Sequence, residues 1–159
     1  MINHPFSPRL NSAIKRITAD LLPEGFDLSQ TAPETLESLT ETVNRTGRFV
    51  INPDFSDCTI FGDPAVNHQF RAWHDYCHYI GQFPFTTAGE AQAAALQIEQ
   101  LRAAGLSSPE VETLIDIEVN EQAKFFERSG GFPRDQRAFT RFCLIERLAH
   151  IRADCRPAA

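Results

Sequence analysis

The sequence predicts an all-α fold: a single domain, 1–159, of about six helices, with one helical hairpin carrying a cluster of metal-ligand residues. Three observations predict it. Apolar residues recur at three- and four-residue spacing through most of the chain. The stretches open on capping or proline signals and close on glycine or a proline turn. The connections between them are short, with no internal repeat, low-complexity tract or linker.

Taken in order, Ser7-Pro8 opens a first helix with Leu10, Ile14, Ile17 and Leu21 on one face, and Leu22-Pro23-Glu24-Gly25 ends it. Thr31, three residues before Glu34, reads as a capping box for a second helix bearing Leu36, Leu39 and Val43, closed by Gly47. Residues 48–62 are the least helical and read as a loop with short extended pieces. Asp63-Pro64 starts a third helix, which runs to about Ile80 with Val66, Phe70, Trp73, Cys77 and Ile80 as its apolar stripe. Gly81-Gln82-Phe83-Pro84 forces a turn. A fourth helix then runs from near Thr87 to Ala104, stopped by Gly105. Ser108-Pro109 opens a fifth, ending at Ser129-Gly130-Gly131. Pro133 opens a sixth, reaching roughly Ala153.

Composition narrows the function classes. A net charge of -6 and a pI near 5.3 disfavour nucleic acid as a partner. No basic run addresses an anionic membrane surface, and no apolar stretch is long enough to form a transmembrane segment. The opening Met1-Ile2-Asn3-His4-Pro5 has neither a charged region nor an apolar one, so no signal peptide is expected. Cys58, Cys77, Cys143 and Cys155 form no CxxC pair and read as reduced thiols of a cytoplasmic protein, with Cys77 and Cys143 in the core.

Chemistry concentrates in His74-Asp75-Tyr76-Cys77-His78 and, eleven residues on, Glu90. Two histidines four residues apart are offset by about 40° around a helix and about 6 Å along it, which suits two ligands of one ion. Asp75 lies beside them, able to reach an ion or to orient a ligand. A hairpin through residues 81–88 brings Glu90, at the head of the face carrying Ala94, Ile98 and Leu101, back to the pair. Two nitrogens with carboxylates ask for a divalent metal ion, Zn2+ first, since magnesium and manganese are less suited to two imidazoles. Each residue also has a plainer explanation. Thr87-Ala88-Gly89-Glu90 is itself a capping box, the histidines sit at a core edge, and Asp75 could be solvated. It is the four together that point to a metal: His74, Asp75, His78 and Glu90.

The pattern His-Asp-x-x-His, eleven residues, then Glu resembles the ubiquinone (coenzyme Q) biosynthesis family known as the fourth Coq protein. Gly89 before the Glu, Gly62-Asp63-Pro64 before the motif and residues 101–106 after it add to the likeness, which spans about Gly62 to Leu106. That family is all-helical. The resemblance implies His74, Asp75, His78 and Glu90 as ligands, and a quinone-like, apolar or aromatic small molecule as partner, at the ring carbon that loses a carboxyl group and gains oxygen. Two other readings stay open. His-Asp-x-x-His has the spacing of a zincin-like metallohydrolase, with Asp75 as base, though Asp is one methylene short for it. Four closed protein ligands would instead make a structural clamp in a non-enzymatic scaffold or interaction protein.

Two further features stand out. Glu118 and Gln122 occupy apolar positions of the fifth helix, so Glu118 either reaches the metal cluster or meets a thin edge of the core. Phe125, Phe126, Phe132, Phe139 and Phe142 read as core or as the lining of an apolar pocket. Catalytic residues, and whether the protein is an enzyme, are left open by the sequence.

Overall fold

A computed structural model describes residues 4–154. Among the described residues the fold is six helices, the fifth interrupted by a π turn and labelled α5 (Pro109–Asp116) and α6 (Gln122–Ser129) on its two sides, with a two-stranded sheet, 65% helical in all. Helix α1 (Pro8–Leu21) is capped by the Ser7 hydroxyl, which accepts from the Leu10 N–H at 3.2 Å. Helix α2 (Leu36–Thr46) starts later than the sequence signals indicate. Its capping box is Thr35 with Ser38, and Thr31 instead bonds Ser29 in the preceding turn. Gly47, at φ 68°, ends α2 in the left-handed region. The extended pieces of the irregular region include β2 (Val50–Ile51), which pairs in parallel with β1 (Asp27–Leu28), a strand too short to show as alternation.

Helix α3 (Pro64–Gly81) begins at the Asp63 cap, and α4 (Thr87–Ala103) follows the predicted turn. Beyond it, α5 (Pro109–Asp116) passes through a single π turn (Ile117–Glu121) into α6 (Gln122–Ser129). The sequence gives no cue to this widening, because the apolar stripe continues through it. Helix α7 (Gln136–Asp154) starts three residues after Pro133, where the Asp135 carboxylate accepts from the Ala138 N–H.

Helix α3 is the central rod. It packs between α1 and α4, with α2 against its other side. The main core joins Leu10, Ile14 and Ile17 of α1 to Phe70, Trp73 and Cys77 of α3, Ala93, Ala94 and Leu101 of α4, and Val111 and Ile115 of α5. A second cluster, Leu39, Val43 and Phe49, packs against Tyr76, Tyr79 and Phe85. Ile80, assigned to the α3 stripe, is 46% exposed, because the helix ends one residue later and the turn leads the chain away from the core. Among the described residues no helix is long and apolar enough to cross a membrane.

Candidate metal centre

The turn between α3 and α4 is built for close approach. Gln82 adopts a left-handed φ of 52°, and the Phe83 ring lies where a Cβ on Gly81 would sit. A Cβ on Gly89 would fall 1.8 Å from the Pro84 carbonyl oxygen, so only glycine lets the first turn of α4 come this near. Thr86 caps α4, accepting from the Gly89 N–H at 3.2 Å. Glu90 is therefore not the capping residue that Thr87-Ala88-Gly89-Glu90 offered. Its carboxylate is directed at α3.

There it meets both histidines. His74 Nε2 lies 2.9 Å from Glu90 Oε2, and His78 Nε2 lies 3.4 Å from Glu90 Oε1. The two Nε2 atoms are 3.0 Å apart. One ligand atom from each of His74, His78 and Glu90 falls within 4.8 Å of the others, a group that could hold a metal ion. His78 is fully buried, whereas His74 and Glu90 keep 17% and 21% of their side chains exposed. The centre thus has a closed side on His78 and an open side on the other two.

The outer ring nitrogens determine what the inner ones can do. His78 Nδ1 is 2.8 Å from the Phe83 carbonyl oxygen, which can only accept. Nδ1 therefore carries the proton, and in the neutral ring Nε2 is a bare lone pair. His74 Nδ1 likewise donates to Gln97 Oε1 at 3.1 Å. Two neutral imidazoles in these tautomers aim lone pairs at each other across 3.0 Å. Such a contact is repulsive unless a proton or a metal ion lies between them.

Electrostatics agree with the geometry. Burial by itself would lower the His74 pKa. The Glu90 charge and hydrogen bond, with Asp75 behind, outweigh it and raise the value to about 9. Burial would raise the Glu90 pKa, but the two histidines hold its carboxyl well below the usual carboxylate range. At neutral pH both shifts favour a charged pair, a His74 imidazolium donating to the Glu90 carboxylate, when no ion is bound.

Asp75 stands beside this cluster rather than in it. Burial pushes its carboxyl up to about 6, against the pull of His74, His78 and Arg71. Arg71, one turn earlier on α3, donates to the carbonyls of Asn52 and Asp54 and so ties the loop to the helix.

Glu118 takes neither course the sequence offered: it is outside the metal group, and it is buried rather than at a thin edge of the core. It is buried in the π turn, where Thr140 Oγ1 and Gln122 Nε2 donate to it at 3.0 and 2.9 Å. Burial outweighs these donors and raises its carboxyl to about 7. It belongs to the packing of α7 on the π turn, not to the metal cluster.

The late phenylalanines line no part of the centre. Phe126, Phe132 and Phe142 are exposed, and Phe125 packs edge-on to Phe139. A shallow groove of about 330 Å³ lined by Phe6, Pro109, Leu114 and Leu144, with Glu110 and Thr113 as its polar residues, shares no residue with the cluster. Cys77 and Cys143 are buried thiols as expected, while Cys155 lies outside the described residues.

Sequence reasoning missed the two acceptors behind the histidines. The Phe83 carbonyl leaves no trace in a sequence. Gln97 does leave one: it lies seven residues after Glu90, two turns along the same face, where an apolar residue would be expected.

Compared with models of protein families, with curated proteins and with solved structures, the chain finds no match.

Proposed function

We propose that the protein is a metal-binding helical protein whose centre is His74, His78 and Glu90, with Zn2+ as the ion. One observation carries the reading: two buried-side Nε2 lone pairs converge on a carboxylate while both Nδ1 atoms are committed to acceptors. Two imidazoles and one carboxylate form a borderline-soft donor set that suits zinc better than magnesium or calcium. Three protein ligands, two of them partly exposed, leave a position for water or a small molecule, where a structural site would be closed by four. The partner we infer is an apolar or aromatic small molecule, in keeping with the resemblance of residues 62–106 to the ubiquinone biosynthesis family. Support comes from the aromatic surround, with Phe70 stacked on His74 at 6.2 Å and Phe85 edge-on to His78 at 4.5 Å. In that reading the ion serves as a Lewis acid or activates water or oxygen.

Elemental analysis tests the ion directly. Protein purified with zinc supplementation should carry about one equivalent. His78→Ala should lose it, and Asp75→Asn, which leaves the three ligands in place, should keep it. Wild-type protein without stoichiometric metal would rule the reading out.

A further inference from the structure

We propose that Gln97 is the positioning residue of this centre: its side-chain carbonyl locks His74 in the tautomer that leaves Nε2 bare for the ion. The inference rests on the metal reading above and goes beyond its ligand set. Helix α4 grips the His74 ring at both ends, with the Glu90 carboxylate at Nε2, 2.9 Å away, and Gln97 Oε1 at Nδ1, 3.1 Å away. The two residues are seven apart, so one helical face delivers both.

Three features identify the Gln97 carbonyl as the working group. The side chain is fully buried among Ala93, Ala94 and Leu101, a place that favours an apolar residue. Its amide nitrogen Nε2 is buried without a hydrogen-bond partner among the described residues, so only the oxygen is used. The reverse amide orientation would present N–H to Nδ1, forcing the His74 proton onto Nε2, where it would occupy the position of the metal. His78 is locked in the same sense by a backbone carbonyl, at Phe83. Gln97 is thus the side-chain half of a matched pair of acceptors. The neighbouring Gln100 has a different task, accepting from Trp73 Nε1 at 2.6 Å and from the Cys77 thiol at 3.3 Å, which makes it a control for general loosening of the α3–α4 contact.

The experiment measures zinc affinity by chelator competition in the full chain, for wild type, Gln97→Leu, Gln97→Glu and Gln100→Leu. Removing an outer acceptor of a ligating histidine costs about 10- to 100-fold in metal affinity. Gln97→Leu should show that loss. Gln97→Glu, which keeps an acceptor oxygen, should bind within a few-fold of wild type. Gln100→Leu should leave affinity within a few-fold. In parallel, nitrogen-15 NMR of the zinc-loaded wild type should show the His74 proton on Nδ1, protected from exchange, and Gln97→Leu should lose that protection. Wild-type affinity in Gln97→Leu, or an equal loss in Gln100→Leu, overturns the assignment while the metal reading stands. A wild type that binds no zinc overturns both. Should Gln97→Leu fail to fold, the wild-type spectrum decides, since a His74 proton on Nε2 or an unprotected Nδ1 proton refutes the lock.

Discussion

At the scale of single residues, the centre is a competition between a proton and a metal ion for one imidazole nitrogen. His74 has its pKa raised to about 9, and the Glu90 carboxyl is held low by the same contact. In the metal-free protein the pair therefore contributes its full stability above the ordinary carboxylate range and below the ordinary imidazole value. The His74 contribution is lost as pH rises through about 9, and the Glu90 contribution as pH falls below the ordinary carboxylate range. A metal ion must displace the His74 proton, so binding releases about one proton per ion at neutral pH. Apparent zinc affinity should rise about tenfold per pH unit between about 7 and 9, then level off. Chelator competition at three pH values across that window measures the slope. A flat profile would mean that His74 is not the nitrogen displaced.

At the scale of elements, the α3–α4 hairpin converts two helix faces into a site, and its turn sets the approach. Gly89 has no room for a side chain, because the Pro84 carbonyl oxygen occupies the space of a Cβ. Gly89→Ala must push the head of α4 outward and move Glu90, the next residue, away from the histidines. A stability loss of about 1–3 kcal/mol is expected from the overpacking alone. Zinc affinity should fall together with it, as chemical denaturation and chelator competition on the same variant would show. A variant that is destabilised but binds zinc normally would separate the turn from the centre. The hairpin was legible because its signals are local. An Asp63 cap with Pro64, two histidines at helical spacing and a Gly-Gln-Phe-Pro turn each act within a few residues. What stayed hidden depends on contacts distant in sequence. Glu90 reads equally as a cap or a ligand until α3 is placed opposite, and Thr86 rather than Thr87 turns out to take the cap. Glu118 reads as facing the cluster or a thin edge of the core, and the donor that holds it in the interior instead, Thr140, lies 22 residues away. The β1–β2 pair joins segments too short to alternate, so pairing alone reveals it.

At the scale of the whole molecule, the question is what the fold loses when the ion is removed. The main apolar cluster draws on α1, α3, α4 and α5 with Ile60, Phe61 and Val119, and it is extensive without the three ligands, of which only His78 is fully buried. The centre lies at the edge of that core and bridges only α3 and α4. Metal removal should therefore lower stability without abolishing the fold, unlike a zinc finger, whose core is too small to stand by itself. Free zinc at 100 times its dissociation constant stabilises a native state by about 2.7 kcal/mol. For a chain of this length that corresponds to a Tm shift of roughly 5–10 °C, at about 2–4 °C per kcal/mol. Calorimetry at pH 8, with zinc and then with excess chelator, should show a cooperative transition in both states, separated by about that amount. His78→Ala should unfold at the same temperature with or without chelator, and Glu90→Gln provides the same comparison if the buried His78 position does not tolerate truncation. Loss of the cooperative transition on chelation would contradict this division of labour. It would make the ion a clamp on which α3–α4 packing depends, and the three-ligand site a structural one despite its open side.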